Sequence, residues 1–317
     1  MAYSICDGPV NSSHKDHRRG TLYMLMVIAI WGGFLPVGKS ALEVVDPYWL
    51  TAMRFGVAGL VFLGLLWVRE GRSALRTEGH LAKIALFGAF GFSGFGICLF
   101  EGLRLTRPEI SGMILALGPV QVALFQWWRT RRRPDNFTLA AIVLALVGEL
   151  FVITAGDFSR LVGGDALGNG LVFLASLFWT AYTLGGQQFP GWSPVRYTAL
   201  SCSLGWFGIV AVLGIASLAG HSHAPQPGQL VTVWPQLAFI ILCVSVFGIL
   251  FWNMGVAKLG PLNAGLFANF TPVITYLIAI AQGRRPEALE LMGAAIVLIA
   301  LIANNRHQSK KAGQIGT

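Results

Sequence analysis

FWNMGVAKLGPLNAGLFANFTPV, residues 251–273, decides the fold, because the chain has already spelled its skeleton once. Gly255, Pro261, Gly265, Pro272 and Val273 stand 153 residues after Gly102, Pro108, Gly112, Pro119 and Val120. The echo continues on either side. Arg132-Arg133-Pro134 returns 152 residues later as Arg284-Arg285-Pro286, and the pentapeptide AAIVL at 140–144 returns 154 later at 294–298. Trp31 and Trp179 are 148 apart, each in the first apolar segment of its half. One offset shared by several separate segments marks a duplicated unit of about 150 residues.

The composition says what the unit is made of. The 317 residues are 55% hydrophobic and 12% charged, with a mean hydropathy of +0.64. Soluble domains carry about 25% charged residues, so this chain cannot cover a globule with ionic groups. Disorder and collagen-like architectures are excluded by the same figures. The net charge of +9 does not indicate nucleic acid, since the basic residues cluster between long apolar runs as membrane topology signals do. Cys6, Cys98, Cys202 and Cys243 form no C-x-x-C pair and predict neither a disulfide framework nor a zinc site. Residues 1–19 form a polar tail before an apolar stretch too long for a signal-peptide core, so the first span is expected to be retained.

A helix needs about 20 residues to cross the hydrocarbon. Ten segments qualify: 21–42, 48–68, 81–103, 108–128, 137–155, 168–189, 196–219, 234–256, 261–282 and 287–304. The weakest is 137–155, which carries Glu149. With the N terminus inside, 16 of the 23 Lys and Arg fall in cytoplasmic segments, among them Arg69, Arg72 and Arg76, then Arg129, Arg131, Arg132 and Arg133. Six fall outside, which predicts both termini in the cytoplasm, with 305–317 as a second tail. Five spans per unit is an odd number. The second half, 166–304, must therefore enter the membrane from the side opposite to the first, 20–156, making the two inverted repeats. The expected fold is an all-α polytopic membrane protein of ten transmembrane helices in two inverted five-helix repeats. That is the architecture of a secondary transporter, and it fits a receptor or a membrane-embedded enzyme much less well.

An enzyme should show a reactive constellation. All six histidines lie outside the spans, and no nucleophile elbow, P-loop or dinucleotide fingerprint is present. No metal, cofactor or nucleic-acid partner is expected; the partners are a small-molecule substrate and the lipid bilayer. Ionisable groups inside spans are Lys39, Arg54, Glu101 and Glu149, and such groups face an interior or a partner by default. Lys39 and Arg54 could form a positive site for a carboxylate substrate; alternatively Lys39 snorkels and Arg54 pairs with a carbonyl or Glu43. Glu101 could carry a coupling proton, although its place near a span end fits an interfacial role.

Aromatic and amide groups at mid-depth are more informative. Trp31 and Phe34 share a helix face, and Trp179, Tyr182 and Thr183 repeat that spacing on the sixth span. Trp252, Asn253 and Asn269 add an indole and two amides that must find partners. Cavity lining and plain helix packing are both open for this set. Span 1 is interrupted by Gly32-Gly33 and Pro36, span 6 by Gly185-Gly186, and spans 4 and 9 by Pro119 and Pro272. Paired breaks in two halves point to a midplane site, with the prolines as hinges.

These residues resemble the EamA-type transporters of the drug/metabolite transporter superfamily. The similarity covers residues 20–304 through IWGGFLPVGKSAL (30–42), LTAMRF (50–55), LFWTAYTLGGQQ (177–188), the opening stretch 251–273 and AAIVLIALIA (294–303). Family members often carry Leu-Gly-Glu after spans 4 and 9, where this chain has TRRRP (130–134) and GRRPE (283–287); no role for a loop glutamate carries over. The resemblance implies export of small organic solutes, amino acids (aromatic or other neutral) or related metabolites, across a bacterial inner membrane. A channel-like facilitator and a non-transporting scaffold or receptor are the competing readings.

Overall fold

Backbone groups in lipid must be satisfied within the structure, and among the described residues every regular element is helical. The computed structural model describes residues 14–131, 133, 135–158, 164–268 and 270–315. The first span is α1 (His14–Gly32) and α2 (Phe34–Ala41), divided at Gly33. Then comes α3 (Pro47–Glu70), started by Asp46, whose Oδ1 accepts from the Trp49 amide at 2.9 Å, with Pro47 in the first turn. The third span is α4 (Leu81–Gly88), a π-helical stretch (Ala89–Gly94) and α5 (Phe95–Leu105). The fourth is α6 (Pro108–Ala116) and α7 (Gly118–Thr130), followed by α8 (Asn136–Thr154).

The second half repeats the scheme. Helix α9 (Gly164–Gly185) ends in a 3₁₀ turn (Gly186–Gln188), and α10 (Pro194–Leu218) follows. A short α11 (Pro227–Thr232) lies in the connection. Next are α12 (Trp234–Ala238), a second π-helical stretch (Phe239–Gly248) and α13 (Ile249–Ala268), which kinks at Gly260 with φ 79°. The chain closes with α14 (Thr271–Ala281) and α15 (Ala288–Ile315).

Seven helical runs are long and apolar enough to cross a bilayer, and three more apolar helices, Asn136–Val152, Thr271–Ala281 and Ala288–Asn304, are shorter. The three short ones fall on the segments expected at 137–155, 261–282 and 287–304, so helix length alone does not return ten. In 261–282 the reason is local: α13 stops at Ala268 and a new helix starts at Thr271, with Pro272 in its first turn. Gly185-Gly186, expected to interrupt span 6, instead end it. The chain is a polytopic helical membrane protein, and its exposed apolar side chains, such as Leu60, Val68, Phe207 and Ile299, are what lipid would cover.

Every major packing pair joins the two halves: α1 with α13, α5 with α9, α3 with α10, α6 with α14 and α8 with α15. Small residues permit the closest approach. A Cβ on Gly148 would sit 2.8 Å from the Gly293 carbonyl oxygen, and one on Gly293 2.5 Å from that of Gly148. A Cβ on Gly112 would lie 3.7 Å from Pro272, in ordinary contact, where α6 packs on α14.

Candidate functional site

The helix breaks converge on one place. Gly33 divides the first span two residues after Trp31 and just before Phe34, and both of these rings line one cavity. The carbonyl of Gly32 accepts instead from Thr275 Oγ1 at 3.0 Å. The break at Leu117 precedes Pro119 as the break at Phe270 precedes Pro272, each proline sitting in the first turn of the helix that resumes. Around these interruptions lies a cavity of about 150 Å³, on the order of ten times the space one water needs.

Three indoles form its aromatic wall. Trp31 is 5.7 Å from Trp179 in an edge-to-face arrangement and 5.4 Å from Trp252; Phe95 stacks obliquely on Trp179 at 4.9 Å. Each ring comes from a different helix, and Trp31 and Trp179 come from corresponding helices of the two halves. The π-helical stretches occupy corresponding places in spans 3 and 8. The second of them holds Val244, which lines the cavity and accepts from Trp31 Nε1 at 3.5 Å.

Among the described residues of this wall one is charged. Arg54 is 1% exposed, and its guanidinium carbon sits 4.1 Å from the Phe55 ring centroid, 4.5 Å from Phe100 and 5.3 Å from Phe34. Its Nε and Nη2 have no hydrogen-bond partner among the described residues. Among the described residues neither a carbonyl nor Glu43 pairs with it. The Thr183 and Thr271 hydroxyls and Trp252 Nε1, all at the cavity wall, are likewise buried without partners among the described residues. Such a set can take an apolar body against indoles and polar ends against a cation and hydroxyls.

The other expected residues are placed differently. Tyr182 and Asn253 lie one layer behind the wall: Asn253 Nδ2 donates to Tyr182 Oη at 3.1 Å and to Thr198 Oγ1 at 2.7 Å. Asn269 lies outside the described residues. Lys39 does not face the cavity; its Nζ donates to the carbonyls of Leu103, Arg104 and Thr106 at 2.8–2.9 Å, capping the end of α5. Glu101 pairs with Arg104 at 3.0 Å at that same end. Pro36 sits in the first turn of α2, next to the cavity-lining Leu35, and does not itself line the cavity. Phe95, Ser176, Thr180, Thr183 and Ser245 line the cavity; of these only Thr183 carried a signal in the sequence, through its place beside Trp179 and Tyr182.

A second group of charges closes one end of the bundle. Arg107 Nη2 meets Glu290 Oε1 at 2.6 Å; Arg284 Nη2 meets Glu290 Oε2 at 2.9 Å, and its Nη1 lies 3.0 Å from Glu109 Oε1. Glu290 and Glu109 are 1% and 4% exposed. This network ties the start of α6 to the start of α15 across the halves. At the opposite end Arg196 and Trp192 donate to Glu78, outside the spans, and these hydrogen bonds hold its carboxyl below the usual glutamate range. Among the described residues no group of three or more His, Cys, Asp or Glu could hold a metal ion.

Two corresponding sets of membrane helices around a cavity walled by indoles, hydroxyls and one guanidinium are the architecture of a polytopic transporter. Residues 18–154 and 166–306 each match the EamA-like transporter family, and the chain belongs to that family, within the drug/metabolite transporter superfamily. It is 33% identical over 297 residues, covering 92% of each chain, to the protein named "Uncharacterized transporter YrdR" of Bacillus subtilis (strain 168). It is 24% identical over 291 residues, covering 89% of this chain and 93% of the other, to "Aromatic amino acid exporter YddG" of Ancylobacter novellus. A solved crystal structure covering 94% of this chain and 99% of its own matches with a TM-score of 0.64 at 19% identity, a likeness of fold.

Proposed function

We propose that this chain is a secondary transporter exporting small organic solutes, amino acids with aromatic or other neutral side chains or related metabolites, by alternating access across a bacterial inner membrane. The observation that carries this reading is the cavity itself, walled by Trp31, Trp179 and Trp252 from both halves and roofed by broken helices. The units are the tail 1–19, a five-helix repeat at 20–156, its inverted copy at 166–304 and the tail 305–317, with both tails cytoplasmic. In that topology the Arg107–Glu290–Arg284–Glu109 network lies at the outer end, where it would hold the outer side closed. Cargo lies against Trp31, Phe34, Trp179 and Trp252, with Tyr182 and Asn253 holding the wall from behind and Asn269 on the same span as the break at Phe270. The relative named as an aromatic amino acid exporter supports the cargo class.

The test is uptake and counterflow of labelled tryptophan, phenylalanine and aliphatic amino acids in proteoliposomes. Saturable uptake that is accelerated by unlabelled solute on the far side is expected. Uptake that rises linearly with concentration identifies a channel-like facilitator instead, and no uptake from the panel identifies a non-transporting protein.

A further inference from the structure

The two halves build corresponding nests beside the cavity and furnish them differently. Thr51-Ala52 on α3 recurs 147 residues later as Thr198-Ala199 on α10, which places Arg54 opposite Ser201 and Phe55 opposite Cys202. Phe34 likewise corresponds to Tyr182, and Phe100 to Asn253. In the second half the polar groups satisfy one another: Asn253 binds Tyr182 and Thr198, and the Tyr197 hydroxyl donates to the Tyr182 carbonyl at 2.6 Å. In the first half the same positions hold three phenyl rings and one guanidinium with two nitrogen atoms unpartnered among the described residues. Arg54 is the one charged side chain among the described residues that line the cavity, and no carboxylate faces it there.

A guanidinium does not lose its proton in a protein, so this charge persists. A buried charge without a counter-ion is costly; the phenyl faces offset part of that cost without consuming the N–H donors. What remains is a guanidinium in the cavity wall whose Nε and Nη2 are buried without partners among the described residues, the pair of donors that takes a carboxylate through two parallel hydrogen bonds. We propose that Arg54 is the carboxylate anchor of the cavity, and that it restricts the cargo to small organic solutes bearing a carboxylate. The assignment rests on the reading of the cavity as the cargo site. It makes the amino group of an amino acid secondary: the described wall offers that group hydroxyls and indole faces but no anion.

The probes are 3-phenylpropionate and its neutral amide, 3-phenylpropanamide, which share a ring and a chain length. Binding is read from the fluorescence of Trp31, Trp179 and Trp252 in purified, detergent-solubilised protein. The wild type binds the acid about a hundredfold more tightly than the amide, the worth of two charge-assisted hydrogen bonds. Arg54→Met, which removes a buried charge at similar volume and is expected to fold at least as well, loses that preference. Arg54→Lys keeps the charge without the fork and falls between the two. Equal binding of acid and amide by the wild type overturns the inference, as does an unchanged preference in Arg54→Met or the absence of binding of either probe. Should Arg54→Met fail to fold, the wild-type ratio and Arg54→Lys decide. Counterflow of the amino-acid panel by protein that fails these binding tests overturns the anchor alone, whereas vesicles that exchange no solute overturn the cargo site beneath it.

Discussion

Asn253→Ala separates the wall of the cavity from what holds the wall in place. The amide is 8% exposed and makes two side-chain bonds, to Tyr182 Oη at 3.1 Å and Thr198 Oγ1 at 2.7 Å. These tie α13 to α9 and α10, and Tyr182 in turn lies 5.2 Å from Trp179. Each bond contributes about 1 kcal/mol net, so the substitution costs roughly 2–3 kcal/mol once the small void it leaves is included. For a chain of this size that lowers the melting midpoint by roughly 4–8 °C. Thermal unfolding of the purified variant gives the first number, and tryptophan-fluorescence titration with a transported amino acid gives the second. The expected outcome is a lower midpoint together with an affinity within about threefold of wild type, because the amide does not reach the cavity. A variant of unchanged stability whose affinity falls by a factor of 30 or more refutes this placement and puts Asn253 in direct contact with cargo.

Trp179→Ala is expected to behave in the opposite way, weakening affinity about tenfold or more through loss of an aromatic face while the protein stays folded; paired titration and melting measurements distinguish the two variants. Glu290→Gln removes the carboxylate shared by Arg107 and Arg284, and breaking a buried ion pair costs about 3–5 kcal/mol. The end that it closes should open more often, so a cysteine placed at Leu115 should label at least about tenfold faster from the outer side than in the parent. For topology, cysteines at exposed His223 and Arg133, in a background lacking the native four, should label from opposite faces of intact cells. His223 serves better than its neighbour Ser222, which is 5% exposed and bonded to Asp46.

The plan of the fold was legible because duplication and hydropathy are properties of the chain that no tertiary contact has to supply. Trp31, Phe34 and Trp179 could be read as one set from helical spacing and the repeat offset, and the breaks at Gly33, before Pro119 and before Pro272 follow from backbone chemistry at glycine and proline. The π-helical stretches were not legible. AFGFSG and FIILCVSVFG read as ordinary apolar helix, since the extra residue per turn is imposed by packing. Lys39 could be placed near a span end, but its three carbonyl partners lie 64–67 residues away. The Arg107–Glu290 pair spans 183 residues, and each member alone looks like an interfacial charge. Arg54 could be read as costly, while the aromatic nest that leaves its donors free needed Phe100 from α5, which carries no signal of its own.

The central claim is that cargo crosses through the cavity between the halves. Val122 lines that cavity from α7, and Val122→Trp would fill much of its space without touching either the ion-pair network or the α8–α15 contact. Counterflow of a labelled aromatic amino acid should be measured in vesicles holding equal amounts of folded wild type and Val122→Trp. The account predicts saturable, trans-stimulated exchange in the wild type and none in the variant. Equal exchange by both proteins would contradict it.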